Sequence, residues 1–112
     1  MKQTLIRSLL VSFILLVFAW SAPVALADGD SGDQLFETHC SGCHLNGGNI
    51  IRRGKTLKLK ALEKNGYETP EAIAQIIAQG KNNMSAFSDR LSESEITQVS
   101  TFVWEQAQQG WS

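Results

Sequence analysis

Apolar side chains are spread along the 112-residue chain in two ways. Near the start they form one run from Leu9 to Trp20, and further on they recur as short stripes at helical spacing. The run follows two basic residues, Lys2 and Arg7, and leads through Pro23 to Ala25-Leu26-Ala27 just before Asp28. A basic end, an apolar stretch and two small side chains at cleavage spacing are the order of an export signal. The expected organisation is therefore a cleaved signal peptide over 1–27 and one domain over 28–112, with no stable membrane insertion after cleavage. The alternative is a retained anchor, because Ser8 to Ala27 supplies about the 20 residues a spanning helix needs. Pro23 interrupts that helix, and an anchor has no use for small residues at 25 and 27, so cleavage is favoured.

Beyond Asp28 the stripes predict helices. Asp30 and Ser31 can cap a helix from Gly32 to Cys40 in which Leu35, Phe36 and His39 share one side. Leu45-Asn46-Gly47-Gly48-Asn49 reads as a loop. Leu57, Leu59 and Leu62 fit period two and helical spacing equally, so their segment is undecided. Thr69 can cap the next helix, Pro70 suits its first position and Glu71 its positive end. Ile73, Ile76 and Ile77 form its apolar face, Gly80 ends it, and a polar loop with Met84 and Phe87 runs from Lys81 to Arg90. Ser92 and Glu95 form a capping box for a last helix that buries Ile96, Val99, Phe102 and Val103. Gly110 ends that helix and leaves Trp111 to fold back. With no repeat, linker or low-complexity tract, the expected fold class is all-α: three or four short helices joined by loops.

Composition narrows the function classes. The 85 residues after position 27 hold eight Lys and Arg against eleven Asp and Glu, a net charge of −3. The basic stretch Arg52, Arg53, Lys55, Lys58, Lys60 and Lys64 has no interleaved aromatic residues for base stacking, so it reads as a solvated face and nucleic acid is not expected. A domain of this size often leans on a disulfide, a metal or a cofactor for stability. The only cysteines are Cys40 and Cys43, too close in sequence for a long-range disulfide.

Cys40-Ser41-Gly42-Cys43-His44 has the spacing of c-type haem attachment. On a helical turn these cysteines and the histidine fall at i, i+3 and i+4, so two sulfurs and an imidazole leave nearly one face. Two thiols can then add to the haem vinyl groups while the imidazole meets the iron. A thiol-disulfide exchange site uses the same two cysteines but normally sits in a βαβ setting. A zinc site could use His39, Cys40, Cys43 and His44, but usually draws two ligands from a distant segment, and none is available. An export signal agrees with haem, because c-type attachment follows export.

An electron-transfer haem needs a second axial ligand, commonly Met or His. After cleavage Met84 is the only methionine and His39 the only other histidine. His39 adjoins Cys40 on the proximal side, so Met84 is the candidate, in a loop without an apolar stripe. Methionine is more often core filler than ligand. A His44/Met84 pair would favour ferrous iron and leave no open position, which argues for outer-sphere electron transfer and against an enzyme. No paired carboxylates or triad-like set points to separate catalysis.

The chain resembles photosynthetic cytochrome c6 at Gln34-Leu35-Phe36, Cys40 to His44, Gly48-Asn49-Ile50-Ile51, Gly54-Lys55-Thr56-Leu57, Gly80-Lys81-Asn82-Asn83-Met84, Phe87, Arg90-Leu91-Ser92 and Gly110-Trp111. The resemblance covers nearly all of the domain. It implies the small cytochrome c fold around one covalent haem c, with first and last helices crossing so that Gly32 and Phe36 pack near Phe102. It also implies a soluble carrier in the thylakoid lumen, or periplasm, working between the cytochrome bf complex and photosystem I or a terminal oxidase. By the same resemblance Asn49 and Lys55 lie near the haem propionates, and Arg90 lies close to the docking surface.

Two positions depart from the family pattern. Ser85 follows Met84 where the family usually has proline, so the loop lacks that ring constraint. Ile76 stands where photosynthetic members usually carry a glutamine beside the haem, whose amide dipole would raise the potential. Ile76, Arg52-Arg53 and the stretch from Leu57 to Leu62 are similar to the cyanobacterial cytochrome c6-like branch, often described as low-potential. That implies an alternative role as a redox sensor or regulatory haem protein of the same fold. A haem enzyme with a labile Met84 is a third reading.

Overall fold

The computed structural model describes residues 30–112, together with Gln3 and Arg7. Apart from those two residues, the expected signal peptide over 1–27 lies outside the described residues, as does its cleavage site. The elements are α1 (Gly32–His39), α2 (Ser41–His44), a 3₁₀ turn (Leu45–Gly47), α3 (Leu59–Lys64), α4 (Pro70–Gln79) and α5 (Glu93–Gln109). No strand occurs among the described residues; one isolated bridge pairs Lys81 with Met84. The all-α expectation holds, with five helices among the described residues from 30 onward in place of three or four. The increase comes from Cys40, whose φ of −120° ends α1 one residue early and begins the single turn α2, and from the undecided leucine segment, which is helical from Leu59.

Local chemistry sets most boundaries. At the start of α1 the Ser31 N–H donates to Gln34 Oε1 at 3.2 Å, and the Ser31 hydroxyl donates to the Asp33 carboxylate. Thr69 Oγ1 accepts from the Ala72 N–H at 3.1 Å and Pro70 occupies the first turn of α4, so two exposed amide positions there need no helical partner. The Ser92–Glu95 box is closed in both directions, at 3.1 and 3.0 Å.

α5 is the spine of the core. Ile96, Val99, Val103 and Ala107 are buried on it, with Leu35 and Phe36 from α1, Leu62 from α3, Ile73 and Ile77 from α4, and Phe87 and Leu91 from the loop between α4 and α5. Each such large apolar side chain contributes about 1.5–3 kcal/mol by leaving water, far more than any single cap. The α1–α5 crossing is closest at Gly32, where a Cβ would stand 2.5 Å from the Gln98 carbonyl oxygen and 2.9 Å from Phe102 Cβ. One turn on, the Phe36 and Phe102 rings meet at 5.4 Å. Trp111 folds back onto the same place, 5.1 Å from Phe36, with its Nε1–H donating to the Leu57 carbonyl at 2.9 Å.

Gly32→Ala should cost about 1–3 kcal/mol, because backbone rather than a flexible side chain blocks the new methyl. That corresponds to a thermal midpoint lowered by roughly 4–8 °C per kcal/mol in a domain of this size. Gly54→Ala, with no atom near its Cβ, should stay within about 0.5 kcal/mol. Equal midpoints for the two variants would show that the crossing has room for a side chain.

Candidate cofactor site

One cleft, of about 440 Å³, gathers the expected site residues. Cys40, Cys43 and His44 reach it from the α1–α2 junction, Met84 from the loop after α4, and Ile76 from α4. Much of the remaining wall is apolar, including Leu57, Leu62, Ile73, Ile77 and Val103. A second depression, of about 470 Å³, lies over the α1–α5 crossing at Gly32, Thr101 and Glu105, but it is open and holds no Cys, His or Met.

The attachment motif is one hydrogen-bonded turn. The Cys43 and His44 N–H groups both donate to the Cys40 carbonyl, at 3.2 and 2.9 Å. His44 Nδ1 lies 2.8 Å from the Gly48 carbonyl oxygen. A carbonyl only accepts, so Nδ1 carries the proton and Nε2 is left with the lone pair that a metal needs. Such a bond also orients the ring and makes Nε2 more basic.

Both thiols are free. Burial first, and the neighbouring Cys43 second, push the Cys40 thiol from its ordinary 9.0 up to about 11. A thiol-disulfide exchanger works through a lowered thiol pKa, so this environment does not suit that chemistry. Zinc fares no better: among the described residues no three His, Cys, Asp or Glu side chains converge on a metal position. His39 also lines the cleft, but its side chain is exposed and its ring stands edge-on to Phe87 at 6.1 Å.

The Met84 loop is closed by reciprocal bonds. The Lys81 N–H donates to the Met84 carbonyl at 3.0 Å and the Met84 N–H donates back at 2.9 Å. Gly80, at φ 68°, lies under this turn, and a Cβ there would meet the Met84 carbonyl oxygen at 2.6 Å. The constraint that a proline would add after Met84 is thus supplied from the other end of the loop. Met84 is half-buried and packs against the core.

Asn49 and Lys55 line the cleft, and each has a structural task. Asn49 Oδ1 accepts from the Ile51 and Arg52 N–H groups at 2.9 and 2.8 Å, while its Nδ2 donates to the Lys55 carbonyl at 3.0 Å. Lys55 Nζ donates to Asn65 Oδ1 at 2.5 Å. Asn65 belongs to no motif in the sequence, yet its Nδ2 also donates to the carbonyls of Gly54 and Ala61, tying the cleft loop to α3. Its only sequence signal is a position before Gly66 that suits a helix end. Ile73, Ile76 and Ile77 all line the cleft, but Ile73 and Ile77 are also buried in the core whereas Ile76 is only half-buried. Arg90 lines the cleft too, its guanidinium 4.3 Å from the Phe87 ring centre. Among the described residues, Leu45, Ile50 and Ile51 are exposed large apolar residues, at 64%, 71% and 56% of full exposure.

A largely apolar cleft lined by two thiols, an imidazole of fixed tautomer and a thioether fits a covalently held haem, and defines the class as a small c-type cytochrome. Comparison with known proteins agrees. Residues 27–103 match the sequence family described as cytochrome C oxidase, cbb3-type, subunit III. A cytochrome c6-like protein of Nostoc sp. strain PCC 7120 is 49% identical, over 97% of this chain and 98% of that protein. Cytochrome c6 of Gloeothece citriformis is 37% identical over 97% of this chain and 99% of its own. The crystal structure of cytochrome c6C from Synechococcus sp. PCC 7002 has a TM-score of 0.69 at 60% identity, covering 71% of this chain and 98% of that one. The chain belongs to the cytochrome c6 family. It is a c-type electron carrier of photosynthetic electron transport with one covalent haem c, and not an enzyme.

In the haem-free chain, Cys40 should alkylate slowly at neutral pH and accelerate as pH approaches about 11. Because its folded pKa is raised, the stabilisation tied to its protonated form is present below pH 9.0 and is lost as pH climbs to about 11. Mass spectrometry after timed labelling at stepped pH checks this. Rapid labelling of Cys40 at pH 7 would contradict its burial.

Proposed function

We propose that Cys40 and Cys43 anchor one haem c by thioether bonds, that His44 and Met84 are the axial ligands of its iron, and that the protein carries single electrons between larger redox partners. The observation that carries this reading is the meeting of all four side chains, from two separate segments, in one largely apolar cleft. When bound, the haem supplies a ferric/ferrous couple. In attachment each thiol adds across a vinyl group, its sulfur to one carbon and its proton to the other.

The chain's own residues set the behaviour of that couple. Gly48 holds the His44 proton and so strengthens Nε2 as a donor. Met84 offers a soft thioether, which favours the ferrous state, and with His44 it leaves no position for a substrate. Leu57, Leu62, Ile73, Ile77 and Val103 exclude water, which penalises the extra positive charge of the ferric state. Ile76 directs no amide dipole into the cleft, so the potential sits below that of a protein with glutamine there. Lys55 and Asn49 line the cleft and would be the residues to hold the haem carboxylates, with the Lys55 ammonium as the charged partner.

The destination is the thylakoid lumen or periplasm after removal of residues 1–27. No helix among the described residues is long and apolar enough to cross a membrane. The partners are the cytochrome bf complex as donor and photosystem I or a terminal oxidase as acceptor. Exposed Leu45, Ile50 and Ile51 offer apolar groups for contact, and exposed Arg52, Arg53 and Arg90, of which Arg52 and Arg90 line the cleft with Ile51, offer positive charge. Such a contact suits brief docking, as redox encounters typically use small interfaces.

Exported, haem-loaded protein should show covalent haem by denaturing gel stain and a low-spin spectrum with methionine ligation. Met84→Ala should lose the methionine signature and bind carbon monoxide in the ferrous form; an unchanged spectrum would remove Met84 as ligand. Ile76→Gln should raise the midpoint potential. A contact worth about 1 kcal/mol to one oxidation state corresponds to about 40 mV for one electron. An unmoved potential would mean that position 76 does not act on the iron.

A further inference from the structure

Trp111 is the penultimate residue, yet a chain of hydrogen bonds joins it to the attachment motif. Its indole Nε1–H donates to the Leu57 carbonyl at 2.9 Å. The Leu57 N–H donates to the Gly47 carbonyl at 2.7 Å. The next carbonyl along, that of Gly48, accepts from His44 Nδ1 at 2.8 Å. Contact reinforces the connection, because the indole lies directly against Gly47, where any Cβ would overlap the ring. Gly47 holds φ +76° there, and Lys58 Nζ fastens the adjacent Asn46 carbonyl at 3.1 Å.

The indole is itself held firmly. Its ring packs 5.1 Å from Phe36 and 6.2 Å from Phe102, and the Trp111 N–H donates to the Gln106 carbonyl at 2.8 Å. Trp111 adopts φ 62°, a conformation a bulky residue takes only when its surroundings over-determine it. A tryptophan needed only as apolar filling requires neither that backbone nor a hydrogen bond to a loop on the cleft.

We propose that Trp111 is a positioning residue for the histidine ligand: it clamps Gly47 and Leu57 so that the Gly48 carbonyl stays on His44 Nδ1. The proposal rests on the reading of His44 as an axial ligand. Its consequence follows from the imidazole. A proton shared with a carbonyl raises the electron density at Nε2 and favours ferric iron. Loosening the clamp lengthens that bond, weakens His44 as a donor and raises the midpoint potential.

The test compares haem-loaded parent, Trp111→Phe and Val99→Ala. Phenylalanine keeps most of the ring packing and deletes the donor. Val99 is fully buried on α5 and does not line the cleft, so its variant reports lost packing alone. Trp111→Phe should shift the potential upward and speed exchange of the His44 Nδ1 proton about tenfold, the scale of one lost hydrogen bond. Val99→Ala should lower the thermal midpoint and leave both readouts at parent values. A Trp111→Phe protein with parental potential and parental exchange overturns the proposal, whatever its stability. Parent protein whose His44 ring protons lack the shifts of an iron ligand fails the ligand reading, and this proposal with it; shifted His44 protons indifferent to Trp111→Phe fail this proposal alone. Should the variant not load haem, indole exchange in the parent decides: Trp111 Nε1–H must be slower than that of Trp104, and equal rates overturn the clamp.

Discussion

Because residue 32 has no side chain, the backbone of α1 can lie against the Gln98 carbonyl of α5, and the rest of the molecule is arranged around that contact. It sets the height at which Phe36 meets Phe102 and gives Trp111 a ring to rest on. Since α1 leads directly into Cys40, it also determines where the attachment turn stands relative to the core. The two ends of the described domain are thereby joined, and the loops between them are closed on a fixed frame.

The cleft is as much a part of the packing as the core beside it. Phe36, Leu62, Ile73, Ile77 and Val103 belong to the buried cluster and also line the cleft wall. A domain of this size has little apolar interior to spare. A haem filling the cleft would cover the wall's other half and add its own contacts to the native state alone, so loading and folding reinforce one another. This suits a protein whose only cysteines are committed to one local motif.

Features encoded within a few residues were legible in the sequence. Thr69-Pro70, the Ser92–Glu95 pair and the stops at Gly80 and Gly110 are all local chemistry, and the structure uses each. The Leu57 to Leu62 segment is ambiguous in sequence because its pattern satisfies two periods; in the structure its helical turn is closed by Asn65, which donates to the Ala61 carbonyl, and by the Tyr67 N–H, which donates to the Leu62 carbonyl. Within the site, the cysteine-histidine turn was readable because spacing and chemistry coincide. Asn65 and the path from Trp111 through Leu57 to Gly47 were not, since their acceptors are main-chain carbonyls that any residue type supplies. Spacing puts Ile73, Ile76 and Ile77 on one face, and all three do line the cleft; that Ile76 alone of them stays half-buried depends on how α4 is rotated against α5, which spacing does not carry.

The two sides of the proposed iron site differ in how much chain must be in order before they exist. Cys40, Cys43 and His44 are drawn together by one turn, bonded to the Cys40 carbonyl, and need no distant segment to stand side by side. Met84 reaches the cleft only when α4, Gly80 and the Lys81–Met84 turn are in place. One side is therefore local in sequence and the other depends on long-range order. On the proposed ligation, losing Met84 on heating would leave the haem held by its two thioether bonds, so refolding would not require the chain to find its cofactor again.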